Sequence, residues 1–195
     1  MKLQDKLPNT VEVLGKRYRL RLDFRNVLRL MEIVGRDDLI PAARDYLALK
    51  CVMRRPPRHA GPVLDAVRAM LFPAHKHADG KRLTSFEQDA DLIRAAFRQA
   101  YGIDLYRDRL HWMEFQALIS ALPEGSRYSE VIGIRARDMP AATKYNQAER
   151  EWLAKAKAAC ALEMSDDDRA RAYAEGVKSV FAGLLAWAEG SEKNG

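Results

Sequence analysis

The stretch from Ser85 to Met139 leaves the chain little choice but to fold as packed helices. Ser85 has the side chain of a helix N-cap, and Gln88 stands three residues on, as a capping box requires. Leu92, Ile93, Ala96 and Phe97 then recur at three-and-four spacing behind Phe86. Glu87, Asp89 and Asp91 place negative charge at the positive end of that helix, and Gly102 after Tyr101 is a C′ residue that stops it. A second helix is expected from near Arg109. Its stripe is Trp112, Phe115, Leu118, Ile119 and Leu122, ended by Pro123 and Gly125. The connection of roughly eight residues suits antiparallel neighbours. A short third helix around Tyr128–Ile134 would lay Val131 and Ile134 across the pair. Asp89 and Asp91 diverge on a helix, which argues against a paired acid/base site.

Upstream, residues 10–22 alternate. Val11, Val13, Tyr18, Leu20 and Leu22 are apolar, while Glu12, Lys16, Arg17, Arg19 and Arg21 are polar. Leu14-Gly15 between the two runs predicts a β-hairpin. Two strands alone are marginal, so this hairpin must pack on helices or pair with another subunit. Arg17, Arg19 and Arg21 should share a face. The plain reading is a charged face that blocks edge aggregation. The functional reading is a contact for an acidic partner.

Asp23 is an N-cap for a helix from Phe24 to about Val34, with Leu28, Met31 and Ile33 as its apolar residues and Gly35 at its end. A next helix should start near Asp37 or Asp38, with Pro41 in its first turn and a stripe through Ala42, Tyr46, Ala48, Leu49 and Met53. Arg54-Arg55-Pro56-Pro57-Arg58 reads as a connector, because its prolines remove donors and favour extended chain. Gly61–Phe72 forms a third helix, with Val63, Leu64, Val67, Met70 and Leu71 inward. Residues 73–82 form a polar surface loop. His75, His77 and Asp79 lie within it, but catalytic zinc needs three placed ligands with support behind them, so a solvated loop is the reading adopted.

Beyond Pro140 the composition turns rich in Ala, Glu and Lys. Tyr145–Leu162 favours a helix with a sparse apolar face of Trp152, Leu153, Ala156 and Leu162. Ser165 and Asp166–Asp168 begin a last amphipathic helix over residues 164–189, in which Phe181, Leu184, Leu185 and Trp187 belong to a broad apolar stripe. That helix either closes the core or docks on a partner or second subunit. Residues 190–195 read as a disordered tail.

Composition narrows the classes. With 48% hydrophobic and 31% charged residues among 195, the chain is expected to be soluble and able to bury a core. No apolar run is long enough to span a membrane, and the first ten residues lack the apolar stretch of a secretory signal. Cys51 and Cys160 have no spaced partners, so both are expected to be buried thiols in a reduced cytoplasm. The net charge of +6 permits acidic partners, nucleic acid included, but its densest zones, Arg17–Arg25 and Arg54–Arg58, read first as solvated surface. His111 could act as a base, yet no nucleophile in a recognisable setting accompanies it. Gly102 and Gly133 make no phosphate loop. An enzyme is therefore not expected, nor a cofactor or metal.

The series "SFEQDADLI…YGIDL…LHWMEFQALISALPEGSRYSEVIGIRARDM", with the opening "LPNTVEVLGKRYRLRLDFRNVLRL", resembles the bacteriophage gene-product-fifteen family of long-tailed phages. Met113 stands where that family usually has a second tryptophan. The resemblance runs over roughly residues 3 to 160 and is weakest between Arg36 and Thr84. It implies a tail assembly chaperone that holds the tape-measure protein soluble in the host cytoplasm, self-association being compatible with that role. It carries over no catalytic residue. The expected architecture is mainly α, about seven or eight helices with a short N-terminal hairpin, in a domain over residues 1–163. The candidate partner contacts are Arg17, Arg19 and Arg21 on the hairpin and Phe181, Leu184, Leu185 and Trp187 on the last helix. Two other roles fit the same residues. One is a structural component retained in the mature tail, and the other is a nucleic-acid-binding helical module.

Overall fold

The computed structural model describes residues 4–73 and 83–163. Among these, strands β1 (Thr10–Val13) and β2 (Lys16–Arg19) precede seven helices. They are α1 (Phe24–Val34), α2 (Pro41–Val52), α3 (Gly61–Leu71), α4 (Ala90–Tyr101), α5 (Trp112–Ser120), α6 (Arg127–Ala136) and α7 (Gln147–Cys160). The chain is mainly α with a short antiparallel hairpin, as its patterning predicts. The last amphipathic helix and the tail expected after residue 163 lie outside the described residues, as does the loop carrying His75, His77 and Asp79.

The hairpin pairs Val11 with Tyr18 and Val13 with Lys16 around a Leu14-Gly15 turn in which both residues have positive φ. It packs on α3, which settles how so small a sheet is supported. Past β2 the chain stays extended. The Leu20 amide reaches the Asn9 carbonyl and the Arg21 amide the Val52 carbonyl, which buries Leu20 and Leu22.

Asp23 caps α1 by accepting from the Arg25 amide. The buried face of α1 is Phe24, Val27 and Leu30, with Leu28 and Ile33 half-buried and Met31 exposed. The stripe therefore starts at the first helical residue, because Phe24 is drawn into the aromatic centre. In α2 the buried residues are Ala48, Leu49 and Val52 at the C-terminal end, where α1 and α3 meet it. Ala42 and Tyr46 are exposed, against expectation. Helix α3 buries Val63, Leu64, Val67 and Leu71 as read from spacing.

The core is centred on Phe115. Its ring stacks on Phe24 at 4.7 Å, Phe97 at 5.3 Å and Trp112 at 5.8 Å. Phe86 and Phe72 close the cluster edgewise on Trp112. These rings come from both halves of the chain, so one aromatic cluster joins α1 to α4 and α5. A backbone bridge fixes the seam, the Phe24 amide donating to the Leu110 carbonyl and the Trp112 amide to the Leu22 carbonyl.

Helix α4 begins later than expected. Ser85 Oγ accepts from the Gln88 amide, but the Ser85 amide donates to the Asp89 carboxylate rather than to Gln88, and residues 86–89 are a turn. Gln88 instead exchanges amide hydrogen bonds with the backbone of Glu163. Gly102 ends α4 at φ 69°, the left-handed cap its position predicts. In α6 the inward residues are Tyr128, Val131 and Ile132, while Ile134 is half-exposed. Arg135 follows at the next position of that same face. Helix α7 buries Leu153 alone, and Trp152, expected inward, is 55% exposed.

Candidate interaction surface

The arginines near the hairpin gather around one concavity. Arg17, Arg19 and Arg21 line an open groove of about 810 Å3 together with Tyr18, Met53, Arg54 and Arg55. Arg17 and Arg19 alternate on β2 and are therefore on one side of it. Arg21 lies past the strand and turns over the end of α2, where its guanidinium donates to the carbonyls of Lys50, Cys51 and Met53. Those carbonyls are left without helical partners at a C-terminus, so a guanidinium there is doubly favoured. Arg54 and Arg55 reach the same groove because the Pro-Pro connector keeps them out of helix α2.

Arg21 also borders a second groove, of about 750 Å3, shared with Arg25, Arg29, Arg107 and Arg109. Asp23 is the carboxylate on that lining, and it already pairs with Arg25 at 3.3 Å. Arg25 is committed to the fold. It lies over the Phe24 ring and donates to the carbonyls of Leu105 and Asp108, which ties the α4–α5 loop to the start of α1. By contrast, Arg19, Arg29, Arg54, Arg55 and Arg109 form no ion pair among the described residues, and all are exposed.

A third pocket, of about 280 Å3, continues from the second between α1 and α4. Phe24, Phe86, Phe115, Leu28 and Ile93 give it an apolar floor, and Arg25, Arg29 and Arg94 rim it with Glu32 and Tyr106. The three concavities share Arg21, then Arg25, Arg29 and Tyr106, so they form one continuous basic surface. Spacing pointed to its hairpin arginines and to the Arg54–Arg58 zone. Spacing alone does not point to Arg107, Arg109 or Tyr106 as surface contacts, nor to Arg29 beyond its place four residues after Arg25 on one helix face.

The other polar cluster is structural. Asp89 is 2% exposed and takes a two-pronged pair from Arg135, both contacts at 2.8 Å. Burial works against its charge, but the Arg135 hydrogen bonds, the Ser85 amide and the Arg135 charge outweigh this and hold the carboxyl below its usual range. Arg135 also donates to the carbonyls of Cys160 and Leu83. Asp91, by contrast, is on the surface with Arg94. His111 caps α5 through Nδ1, which accepts from the Met113 amide, and its Nε2 bonds the Pro8 carbonyl. Both its nitrogens are thus occupied by backbone groups. Cys51 and Cys160 are free and half-buried rather than buried, and burial raises the Cys51 thiol pKa. Among the described residues no group of His, Cys, Asp and Glu could hold a metal, and no helix is long and apolar enough to cross a membrane. Phe181, Leu184, Leu185 and Trp187 lie outside the described residues.

A family model described as "Bacteriophage Gp15 protein" matches residues 3–162, most of the chain. No curated protein and no solved structure matches it.

Proposed function

The chain belongs to the bacteriophage Gp15 protein family, and from that premise we propose that it is a tail assembly chaperone which binds the tape-measure protein and keeps it soluble until the tail polymerises. It would work in the host cytoplasm by binding, without catalysis, cofactor or metal. The family match over residues 3–162 carries this reading. The open arginine surface supports it, because it offers charge and concavity to a partner and commits few of its guanidinium groups to the fold. Exposed aromatic residues on and near α7, Trp152 and Tyr145, add apolar contact area of the kind a helical client would use. The hairpin arginines Arg17, Arg19 and Arg21 and the residues Phe181, Leu184, Leu185 and Trp187 are the proposed contacts.

Co-expression with a phage tape-measure protein is the direct test, read by pull-down and by size-exclusion with light scattering. A soluble complex, absent from finished particles, is the expected result. No complex, with this chain present in purified particles, would make it a tail component instead.

A further inference from the structure

We propose that the basic surface binds an acidic protein segment that carries an aliphatic side chain, with its carboxylates along the arginines and its apolar group in the pocket between α1 and α4. This names where and by what chemistry a client would be held. It rests on the chaperone reading only for the client's identity.

Three observations lead to it. First, Arg54 and Arg55 on one groove and Arg29 and Arg109 on the next are exposed and form no ion pair among the described residues. Charge left unpaired on both sides of Arg21 is complementary to a run of carboxylates, and the guanidinium fork matches a carboxylate's two oxygens. Second, the surface ends in a pocket of about 280 Å3 floored by Phe86, Leu28 and Ile93, with arginines at its rim. An apolar floor beside basic walls takes an apolar side chain flanked by acids. Third, nucleic acid fits less well. Single strands are held by stacking bases on open aromatic faces. Here Arg25 lies over Phe24 and Arg94 over Tyr106, each at 4.6 Å, and Lys16 lies over Tyr18 at 5.4 Å. These three rings along the surface already carry cations. Base-specific readout of a duplex needs an element that enters a groove, whereas these arginines line concavities.

Fluorescence anisotropy on the full chain tests this with three labelled probes of equal length: a peptide of alternating Glu and Leu blocks, an all-Glu peptide and oligo-dT. The Glu/Leu peptide should bind tightest, and its affinity should fall with added salt. The paired substitutions Arg54→Glu with Arg55→Glu, and Arg29→Glu with Arg109→Glu, should each weaken it about tenfold or more. All four side chains are exposed, so an unchanged Tm is expected and confirms that the variants fold. Tighter binding of oligo-dT would overturn the proposal in favour of nucleic acid. Equal binding of the two peptides would remove the apolar pocket from it. Unchanged affinity in both folded variants would end it. No tail protein enters this titration, so its failure leaves the co-expression result standing, and the reverse holds as well.

Discussion

Leu14 is held at φ 51° at the tip of the hairpin, with 96% of its surface exposed. A left-handed backbone costs an ordinary L-residue roughly 1–2 kcal/mol, and asparagine tolerates it better. The following Gly15, at φ 72°, bears no such strain. Leu14→Asn would create the Asn-Gly pair that two-residue hairpin turns favour. It removes no packing, so we expect a gain of about 1 kcal/mol in unfolding free energy. Urea denaturation should show a higher midpoint with an unchanged slope. A lower midpoint would mean that Leu14 contributes a contact its exposure does not suggest. At the same scale, His111, which has no nucleophile in a recognisable setting beside it, caps α5 by accepting from the Met113 amide. A helix start near Arg109 would place His111 inside the first turn; α5 begins at Trp112 instead, which leaves His111 to satisfy a free helix amide.

Helices α4, α6 and α7 are joined by a polar knot as well as by apolar packing. Arg135 on α6 grips Asp89 before α4 and the Cys160 carbonyl at the end of α7, and Lys157 of α7 returns a bond to the Arg135 carbonyl. Asp89→Asn would leave the guanidinium buried without its counter-charge, at a cost of about 3–5 kcal/mol. Hydrogen exchange should accelerate across α7 before it does in α1 to α3, since Leu153 is the one residue α7 buries. Uniform exchange would show that α7 is not held chiefly through this pair. The pH dependence follows from the lowered Asp89 pKa. An unfolded aspartate titrates near ~3.9, so the contribution is complete above that pH and is lost as pH falls through the lower folded value. The Asp89→Asn variant should therefore lose stability less steeply than the wild type below about pH 4. Arg21 plays a lesser role of the same kind at the end of α2. Arg21→Ala should cost about 1 kcal/mol by removing a cation from that C-terminus, measurable as a lower Tm. Because it serves the fold, any loss of partner binding in that variant must be read against its stability.

At the scale of the whole molecule, Phe115 is the hub through which α1, α4 and α5 meet. Phe115→Ala should cost roughly 3–5 kcal/mol. For a chain of this size that lowers Tm on the order of 10 °C. Differential scanning calorimetry would check it, and a drop of a degree or two would show that the stacked rings close over the gap. Element types and most C-terminal ends were readable from residues alone, whereas α2, α4 and α5 begin later than expected, at Pro41, Ala90 and Trp112. Asp23, Gly102 and Pro123 act within one or two turns of themselves, and the hairpin's alternation and the 3.6-residue stripes are short-range patterns. The inward faces of α1, α2 and α6 were read less well. Which of several apolar residues turns inward depends on where the neighbouring helices lie, and spacing does not carry that. The pairing of Asp89 with Arg135, 46 residues apart, and the union of arginines from β2, α1, the Pro-Pro connector and the α4–α5 loop into one surface belong to the same class. Local order in the chain sets caps, turns and periodicity, because those energies act between near neighbours. Contacts between distant residues arise only when packing brings their elements together. The basic surface is thus a property of the assembled fold, whereas the family likeness was already written in the ordered run from Ser85 to Met139.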